Sequence, residues 1–319
     1  GYGEVSPSPA FMGETGYTAE LAINKYLAAA VYGKSIFDLD IIHSSMEAAI
    51  YGNYAAKSAV DIALYDCIGK SLGVPVYKLL GGKVRDKAPL SWVVGMQDIN
   101  GSIAEAQQYR DMGYKVIKIK VGNDPQKDYA VVKGIREALG SQAVLRLDAN
   151  QGYDYRTALD IFSRLEEFNL ESIEQPVRRW DIAGMKYVRN RLKTPIMADE
   201  SVSSLHDVHT IIHEQAADIV NLKVGKVGGL HVSQKIAAAL ETAGMTATAG
   251  SNLEVGIGSA ASVHFVLSSP VLTMPHDMMI GGPLHEHDLI HSGVTVADGF
   301  VTCSDSPGLG IEVDESIFK

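Results

Sequence analysis

Five short apolar segments, each ending in charged or polar side chains, decide the fold of this chain: VIKIK (116–120), VLRLDAN (144–150), SIEQP (172–176), PIMADES (195–201) and IVNLKVGK (219–226). Asp148, Glu174 and Asp199 follow three of these apolar runs. They recur at intervals of about 25 residues, which is the length of one strand, one helix and their two turns. Parallel strands joined in this way end at the same edge of a sheet. The spacing therefore predicts that three carboxylates lie side by side.

The alternation of strand and helix patterns extends from Ala88 over most of the remaining chain. Strands are predicted at 89–95, 115–120, 143–148, 170–173, 195–198, 218–223, 245–250 and 271–274. Amphipathic helices are predicted between them at about 99–112, 127–139, 154–168, 180–193, 204–214, 228–243 and 256–267. So regular a count fits a closed barrel better than an open sheet, and no clear helix follows the eighth strand. We therefore predict an α/β fold of the (β/α)7β type, a modified TIM barrel.

The chain before the barrel has a different pattern. Gly1–Glu14 is rich in Gly, Pro and Ser, and its opening GYGEV predicts a strand followed by a loop. Helical periodicity follows at Tyr17–Tyr32 and, broken near Gly52, across Ser45–Leu72. We therefore predict an N-terminal α+β capping subdomain at residues 1–85. We expect further chain before Gly1, so that this subdomain is incomplete at its N-terminus.

The end of the chain is predicted to return to the capping subdomain. GVTVADGFVTC (293–303) has the pattern of a hairpin around Asp298-Gly299. We assign 86–292 to the barrel and 293–319 to this returning segment.

Composition limits the classes of partner. The chain has 28 basic and 38 acidic residues, a net charge of −10, and no basic stripe. We therefore expect no nucleic-acid partner, since phosphate binding requires clustered Lys and Arg. No apolar run reaches the length of a membrane span, and Cys67 and Cys303 lie far apart without metal-type spacing. We expect no membrane association and a reduced, cytoplasmic location.

In a barrel, the C-terminal strand ends face one another across the mouth and carry the chemistry. The oxygens of Asp148, Glu174 and Asp199 can then converge on one hard cation, and Mg2+ suits such a donor set. Lys118 and Lys120 end the second strand and Lys223 ends the sixth. The lysines are therefore predicted to flank the cation from two sides.

Each of these residues also has a simpler interpretation. A lone Asp after a strand is more often a helix N-cap, and Lys118 and Lys120 alone would read as the solvated end of a strand. Asn150 and Glu200 are predicted as a cap and as a support for the cation ligands. Joint placement favours the functional interpretation, because an unpaired charge buried at a strand end costs several kcal/mol.

Two further patterns are weaker. LHEHDLIH (284–291) lacks HExxH spacing and is predicted to be a surface loop. Gly228-Gly229 opens a helix whose N-terminus could hold an anion.

The motifs KIK (118–120), DAN (148–150), EQP (174–176), ADES (198–201) and NLK (221–223) resemble those of the enolase superfamily, in particular its muconate-lactonizing subgroup. The resemblance covers nearly the whole chain. It implies that Asp148, Glu174 and Asp199 bind Mg2+, with Mn2+ as an alternative. It also implies that Lys120 and Lys223 are the two acid/base residues and that Lys118 helps to hold a substrate carboxylate. TATAGSNLE (246–254) has no histidine, which disfavours the histidine-based branch.

The resemblance further implies abstraction of a proton α to a carboxylate, with an enediolate intermediate. EVSPSPAFMGET (4–15) and EQPVRRWDIAGMKYVR (174–189) look most like dipeptide epimerases, which carry Asp-x-Asp on strand eight to bind the substrate ammonium. Asp277 is present here, but Met279 stands where the second Asp is expected. Asp277 also matches the single acid of cycloisomerases, or it is a loop cap, and Glu254 resembles another residue of the mouth. We predict Asp277 and Glu254 as substrate-binding residues.

Three functions stay open at this point. The first is racemisation or epimerisation of an amino-acid derivative or dipeptide. The second is cycloisomerisation or syn-elimination of a carboxylate such as a muconate. The third is a non-catalytic barrel that binds a ligand. We expect a small-molecule carboxylate as the partner and, because relatives commonly assemble, a homo-oligomer.

Overall fold

The N-terminal part of the chain is helical in the computed structural model, which describes residues 1–278, 280 and 285–318. Thr15 and Thr18 cap the second helix through reciprocal hydrogen bonds. Asn53 and Gly73, both with positive φ, bound the long fifth helix. The helical elements are α1 (Pro9–Met12), α2 (Gly16–Ala22) continuing through a π-helical turn (Ile23–Leu27) into α3 (Ala28–Val31), α4 (Leu39–Ala49), α5 (Tyr54–Leu72) and α6 (Val76–Leu79).

The prediction of a strand at GYGEV (1–5) is wrong, because these residues pair with no strand among the described residues. The segment packs against α5 instead, and the Tyr2 backbone N–H donates to Asp66 Oδ2 at 2.9 Å. A Cβ atom added to Gly3 would lie 1.8 Å from the carbonyl oxygen of Ala59. Glycine at this position therefore permits a close approach of backbone to helix.

The acid-bearing strands form one parallel sheet. The register places Asp148 beside Lys120 on one neighbour and beside Glu174 on the other. The spacing of the acids in the sequence thus predicted their alignment correctly. The strands are β1 (Ala88–Pro89), β2 (Ser91–Val94), β3 (Val116–Lys120), β4 (Val144–Asp148), β5 (Leu170–Glu174), β6 (Ile196–Ala198), β7 (Ile219–Leu222) and β8 (Thr246–Ala249), of which β2 to β8 lie in chain order in the sheet.

The eighth strand of the barrel was predicted at 271–274, and this position is wrong. Only Leu272 bridges β8 in that range, and the closing contacts come later, from His276 to Leu90 and from Asp277 to Gly250. Pro275 offers no N–H to a ladder, so a continuous strand cannot form there. The backbone N–H of Asp277 donates to the Ala249 carbonyl at 2.8 Å. The (β/α)7β barrel class is confirmed, with its last strand reduced to these bridges.

The barrel helices lie within a few residues of their predicted bounds, and one short helix that was not predicted, α12, precedes Gly228 and Gly229. Both glycines have positive φ, at 97° and 108°, and they separate α12 from α13. The helices are α7 (Ile99–Asp111), α8 (Pro125–Leu139), α9 (Tyr155–Leu165), α10 (Ile182–Arg189), α11 (Leu205–Glu214), α12 (Val224–Val227), α13 (Leu230–Thr242) and α14 (Gly256–Ser268).

The anion predicted at the start of α13 is a carboxylate of the chain itself. Asp61 of α5 accepts from the backbone N–H of Leu230 at 2.5 Å and from His43 Nε2 at 2.7 Å. The position beside Gly229 is therefore filled by a buried residue of the capping helices.

The C-terminal segment contains the predicted hairpin. β10 (Val294–Ala297) and β11 (Phe300–Cys303) pair around Asp298-Gly299, both with positive φ, and β11 also pairs with β1 in an antiparallel sheet. β9 (Ile290–Ser292), which ends the His-rich run, pairs with β12 (Glu312–Val313). Leu284 and Met279 lie outside the described residues.

Gly308 bridges Pro75 of the capping helices. The subdomain bounds at 85 and 292 stay predictions. In the part of the chain that the structure describes, no helix is both long enough and apolar enough to cross a membrane.

Candidate active site

Three carboxylates lie at the C-terminal ends of adjacent strands. Asp148 and Glu174 end β4 and β5, and Asp199 directly follows β6. Each is at most 1% exposed. Burial and the neighbouring Asp148 raise the pKa of Glu174 to about 8. The structure thus brings together the three residues that the sequence predicted as cation ligands, and the ligand role itself stays a prediction.

Lysine amines contact both ends of this row. Lys120 Nζ lies 2.7 Å from Asp148 Oδ2, and Lys223 Nζ lies 2.7 Å from Asp199 Oδ2. Lys118 Nζ lies between them, 2.7 Å from Glu174 Oε2 and 3.1 Å from Asp148 Oδ2. Two amines therefore flank the row and a third contacts its middle.

Ion pairing controls the ionisation of these groups. Burial favours neutral lysine, but Asp148, Asp277 and Glu174 outweigh it and hold the pKa of Lys118 well above its usual value. In the same way Asp199 raises the pKa of Lys223 against burial, and the two lysines nearest Asp199 lower the pKa of that carboxyl. Lys118 with Asp148 and Asp277, and Lys223 with Asp199, therefore stabilise one another as ion pairs, whereas the pKa of Glu174 stays raised.

The donor chemistry of the site fits a hard divalent cation. Asp148, Glu174 and Asp199 supply carboxylate oxygens from rigid strand ends, and Glu200 Oε2 is a buried oxygen without a hydrogen-bond partner among the described residues. Burial, then Asp199 and Asp148, raise the pKa of Glu200 to about 7, as expected for an uncompensated negative charge. No three carboxylate, imidazole or thiol groups of the described residues are already arranged around one point. The oxygens are turned towards lysines, which must release them to a cation.

Asn150 and Glu200 lie beside the carboxylate row, and their supporting roles stay predictions. Asn150 Oδ1 accepts from Lys120 Nζ at 2.6 Å, and Asn150 Nδ2 donates to Glu200 Oε1 at 3.1 Å. One amide therefore links the lysine at the Asp148 end to the acid beside Asp199.

The sequence analysis did not identify Lys226, which is 1% exposed. Its Nζ lies 2.7 Å from Asp199 Oδ1 and 3.1 Å from the Asn221 carbonyl. Helical spacing of three residues from Lys223 is the signal that could have indicated it. Lys226 therefore holds the carboxylate that Lys223 also contacts.

Gln175 and Asn221 were also missed. Gln175 Oε1 accepts from the backbone N–H groups of Asp199 and Ser201, at 3.0 and 3.2 Å. Asn221 Nδ2 donates to Glu174 Oε1 at 2.9 Å. The Asn221 amide therefore orients the Glu174 carboxylate, and the Gln175 amide holds the backbone at Asp199.

The two predicted substrate-binding residues lie in different surroundings. Asp277 is inside the barrel, with Oδ2 3.2 Å from Lys118 Nζ and Oδ1 3.1 Å from Arg146 Nη1. Glu254 lies in the loop after β8, where Oε2 accepts from the Asn252 backbone N–H at 2.9 Å. Glu254 Oε1 is buried and has no hydrogen-bond partner among the described residues. Their substrate-binding roles stay predictions.

The N-terminal segment contributes an apolar wall that the sequence did not predict. The Phe11 ring centroid lies 4.5 Å from Lys223 Nζ. Glu4 anchors the segment by accepting from the backbone N–H groups of Val255 at 2.8 Å and Gly258 at 2.7 Å. The segment that contains α1 therefore covers one of the predicted acid/base lysines.

Lys226→Met is expected to destabilise the protein by about 3 kcal/mol or more, because it leaves a buried carboxylate short of a partner. Chemical denaturation measures this change. The matched control is Lys235→Met, which removes an exposed lysine paired with Asp40 and should leave stability unchanged. Equal stability of the two variants would contradict the structural role of Lys226.

Comparison with known proteins gives matches along nearly the whole chain. The family model "Enolase C-terminal domain-like" matches residues 102–317, and "Mandelate racemase / muconate lactonizing enzyme, N-terminal domain" matches residues 1–81. The L-Ala-D/L-Glu epimerase of Clostridium acetobutylicum is 35% identical over 98% of this chain and 87% of its own length. Muconate cycloisomerase 1 of Rhodococcus opacus is 33% identical over 100% of this chain and 86% of its own. The solved structure of the dipeptide epimerase from Cytophaga hutchinsonii, complexed with Mg and the dipeptide D-Ala-L-Val, superposes with a TM-score of 0.94 at 34% identity, covering 99% of this chain and 85% of that one.

Proposed function

Because the chain belongs to the mandelate racemase / muconate lactonizing enzyme family of the enolase superfamily, we propose that it racemises or epimerises an amino-acid derivative or dipeptide. The chain is an enzyme of the isomerase class. The observation that carries the proposal is the contact of Lys120 with Asp148 at one end of the carboxylate row and of Lys223 with Asp199 at the other. Two amines placed in this way can address the two faces of one α-carbon.

Asp148, Glu174 and Asp199 would hold Mg2+, with Mn2+ as the alternative cation. The donor chemistry of the row supports this assignment, as does the Mg present in the Cytophaga hutchinsonii epimerase complex. A bound divalent cation stabilises the negative charge that develops on a substrate carboxylate when the α-proton leaves. Glu200 and Asn150 would orient the ligands.

The lysines would then act on the substrate itself. Lys118 would hold the substrate carboxylate beside Glu174, Lys120 would take or return the α-proton on one face, and Lys223 would do so on the other. A lysine with the ordinary pKa of about 10.4 is protonated at neutral pH and cannot accept a proton. Burial favours the neutral form of a lysine. A buried lysine whose carboxylate partner instead binds the cation would therefore become a competent base.

A cycloisomerase is the second candidate. Two methionines follow Asp277, so the position two residues after it is not an acid. The identity to Muconate cycloisomerase 1, 33%, is close to the 35% identity to the Clostridium acetobutylicum epimerase. Loss of the diene absorbance of a muconate would indicate this reaction.

The proposed function is tested by proton exchange. The protein is incubated in D2O with Mg2+ and a panel of dipeptides and N-acylated amino acids, and the α-proton is followed by NMR. We expect Mg2+-dependent loss of the α-proton signal together with interconversion of the enantiomers or epimers. Absence of exchange across the panel, with consumption of a muconate instead, would overturn the epimerase proposal in favour of the cycloisomerase.

We further propose a homo-oligomer and a cytoplasmic location. Large apolar side chains of the N-terminal part of the chain are strongly exposed, with Tyr17 at 87% and Tyr51 at 91%, which supports an interface there. Light scattering in solution tests the assembly. Cys67 and Cys303 are free thiols, as is usual for proteins of the reducing cytoplasm.

A further inference from the structure

A line of buried charges crosses the barrel beneath the carboxylate row. Arg146 Nε donates to Glu171, and Arg146 Nη1 donates to Asp277 Oδ1 at 3.1 Å. Asp277 Oδ2 accepts from Lys118 Nζ at 3.2 Å, and Lys118 also donates to Glu174 Oε2 at 2.7 Å. Asp277 therefore connects a buried guanidinium to the lysine predicted to hold the substrate carboxylate.

Asp277 has little capacity left for another partner. It is 4% exposed, and its two oxygens accept from Arg146, Lys118 and the hydroxyl of Ser91. Two cations already compensate its single negative charge. A substrate ammonium would have to lose its hydration and displace one of them, and either exchange gives up a buried ion pair.

The backbone also fixes Asp277. Its N–H donates to the Ala249 carbonyl of β8 at 2.8 Å. The preceding residue, His276, forms a β-bridge with Leu90, which lies directly before β2. Arg146 is held as well, because Nη1 donates to the Pro275 carbonyl at 2.6 Å. Asp277 and the Arg146 guanidinium that pairs with it are thus both held by main-chain contacts.

The sequence directly after Asp277 supplies no second acid beside it. Residues 278–284 read MMIGGPL and contain no Asp or Glu. Asp277 is therefore the one acid of residues 275–284, and two cations already compensate it.

We propose that Asp277 is a positioning residue for Lys118, itself held by Arg146, and that it does not bind substrate. In consequence the substrate is a carboxylate with no free α-ammonium group at the Asp277 side of the site, such as an N-acylated amino acid or N-acylated dipeptide. This inference rests on the proposed function for its substrate class. The placement of Lys118 by Asp277 stands on the contacts alone.

The experiment compares one variant on a matched pair of substrates. Deuterium exchange at the α-carbon next to the free carboxylate is measured for L-Ala-L-Glu and for N-acetyl-L-Ala-L-Glu, with wild type and with Asp277→Asn. We expect the acetylated compound to have the higher kcat/KM in wild type. We expect Asp277→Asn to lower kcat by a similar factor for both compounds, about 10- to 100-fold, as is usual when a support of a functional group is removed.

The contrary result is selective. If Asp277 binds the ammonium, Asp277→Asn raises KM for L-Ala-L-Glu and leaves the acetylated compound unaffected, which overturns the proposal. A wild-type preference for L-Ala-L-Glu overturns its substrate class. Arg146→Lys, which keeps the charge, should retain more activity than Arg146→Met. Asp305→Asn, which breaks the exposed pair with Lys83, is the control and should match wild type.

If wild type exchanges neither compound, that result counts against the proposed function alone. A second measurement then still tests whether Asp277 positions Lys118. Denaturation midpoints are compared for Asp277→Asn, Lys118→Met and the double variant. If Asp277 holds Lys118, the double variant loses less stability than the two single losses added together. Strict additivity would overturn the positioning role.

Discussion

Lys223→Ala is expected to slow interconversion of the two substrate enantiomers or epimers by about 10²- to 10⁴-fold, the usual contribution of a positioned acid or base. The amine contacts Asp199 on one side and the Phe11 ring on the other. The other lysine at Asp199, Lys226, is held by the Asp199 carboxylate and the Asn221 carbonyl. Chiral chromatography of the reaction mixture measures the rate. Binding of substrate should change far less, because Lys118 is left in place.

The matched control for this prediction is Lys235→Ala. Lys235 pairs with the exposed Asp40 and lies outside the carboxylate row. Its loss should leave interconversion unchanged. Full activity in Lys223→Ala would remove Lys223 from the acid/base pair.

Glu174→Gln is expected to weaken Mg2+ binding, because it removes about one full charge from a predicted ligand. The loss should exceed the roughly 10- to 100-fold that typically follows removal of a residue that only orients a ligand. Glu174 is the central carboxylate of the row, since its strand lies between those that lead to Asp148 and Asp199. Isothermal titration calorimetry measures the affinity. Glu137→Gln, an exposed change of the same kind, is the control.

The same residue predicts how binding depends on pH. Burial and Asp148 raise the pKa of Glu174 to about 8, so below that pH the carboxyl carries a proton that a cation must displace. Mg2+ affinity should therefore rise from pH 6 to pH 8, with release of a proton. In Glu174→Gln this part of the pH dependence should disappear. A wild-type affinity independent of pH over that range would contradict the assigned ligand.

Much of the architecture was accessible from local patterns. The recurrence of Asp148, Glu174 and Asp199 after apolar runs was sufficient to predict parallel strands and the common edge. The alternation of side chains between the two faces of each strand was also informative, but it was not applied to Arg146. Arg146 lies two residues before Asp148 and therefore points to the same side of β4. That period of two could have indicated a second buried charge inside the barrel.

Other features depend on contacts between distant parts of the chain. Arg146 reaches the Pro275 carbonyl, and Phe11 lies against Lys223, at separations that no local pattern encodes. The eighth strand was misplaced because its apolar run precedes Pro275, while the closing contacts come from His276 and Asp277. The contacts of Asp277 with Lys118 and Arg146 were therefore not predicted.

Lys120 and Lys223 are proposed to act on opposite faces of one substrate carbon. Deuterium uptake in D2O with Mg2+, started separately from each enantiomer or epimer in Lys120→Ala and in Lys223→Ala, tests this placement. We expect mirror-image results, in which each variant still exchanges the α-proton of one starting isomer and fails with the other. Loss of exchange from the same isomer in both variants would place the two amines on one face and rule out these roles.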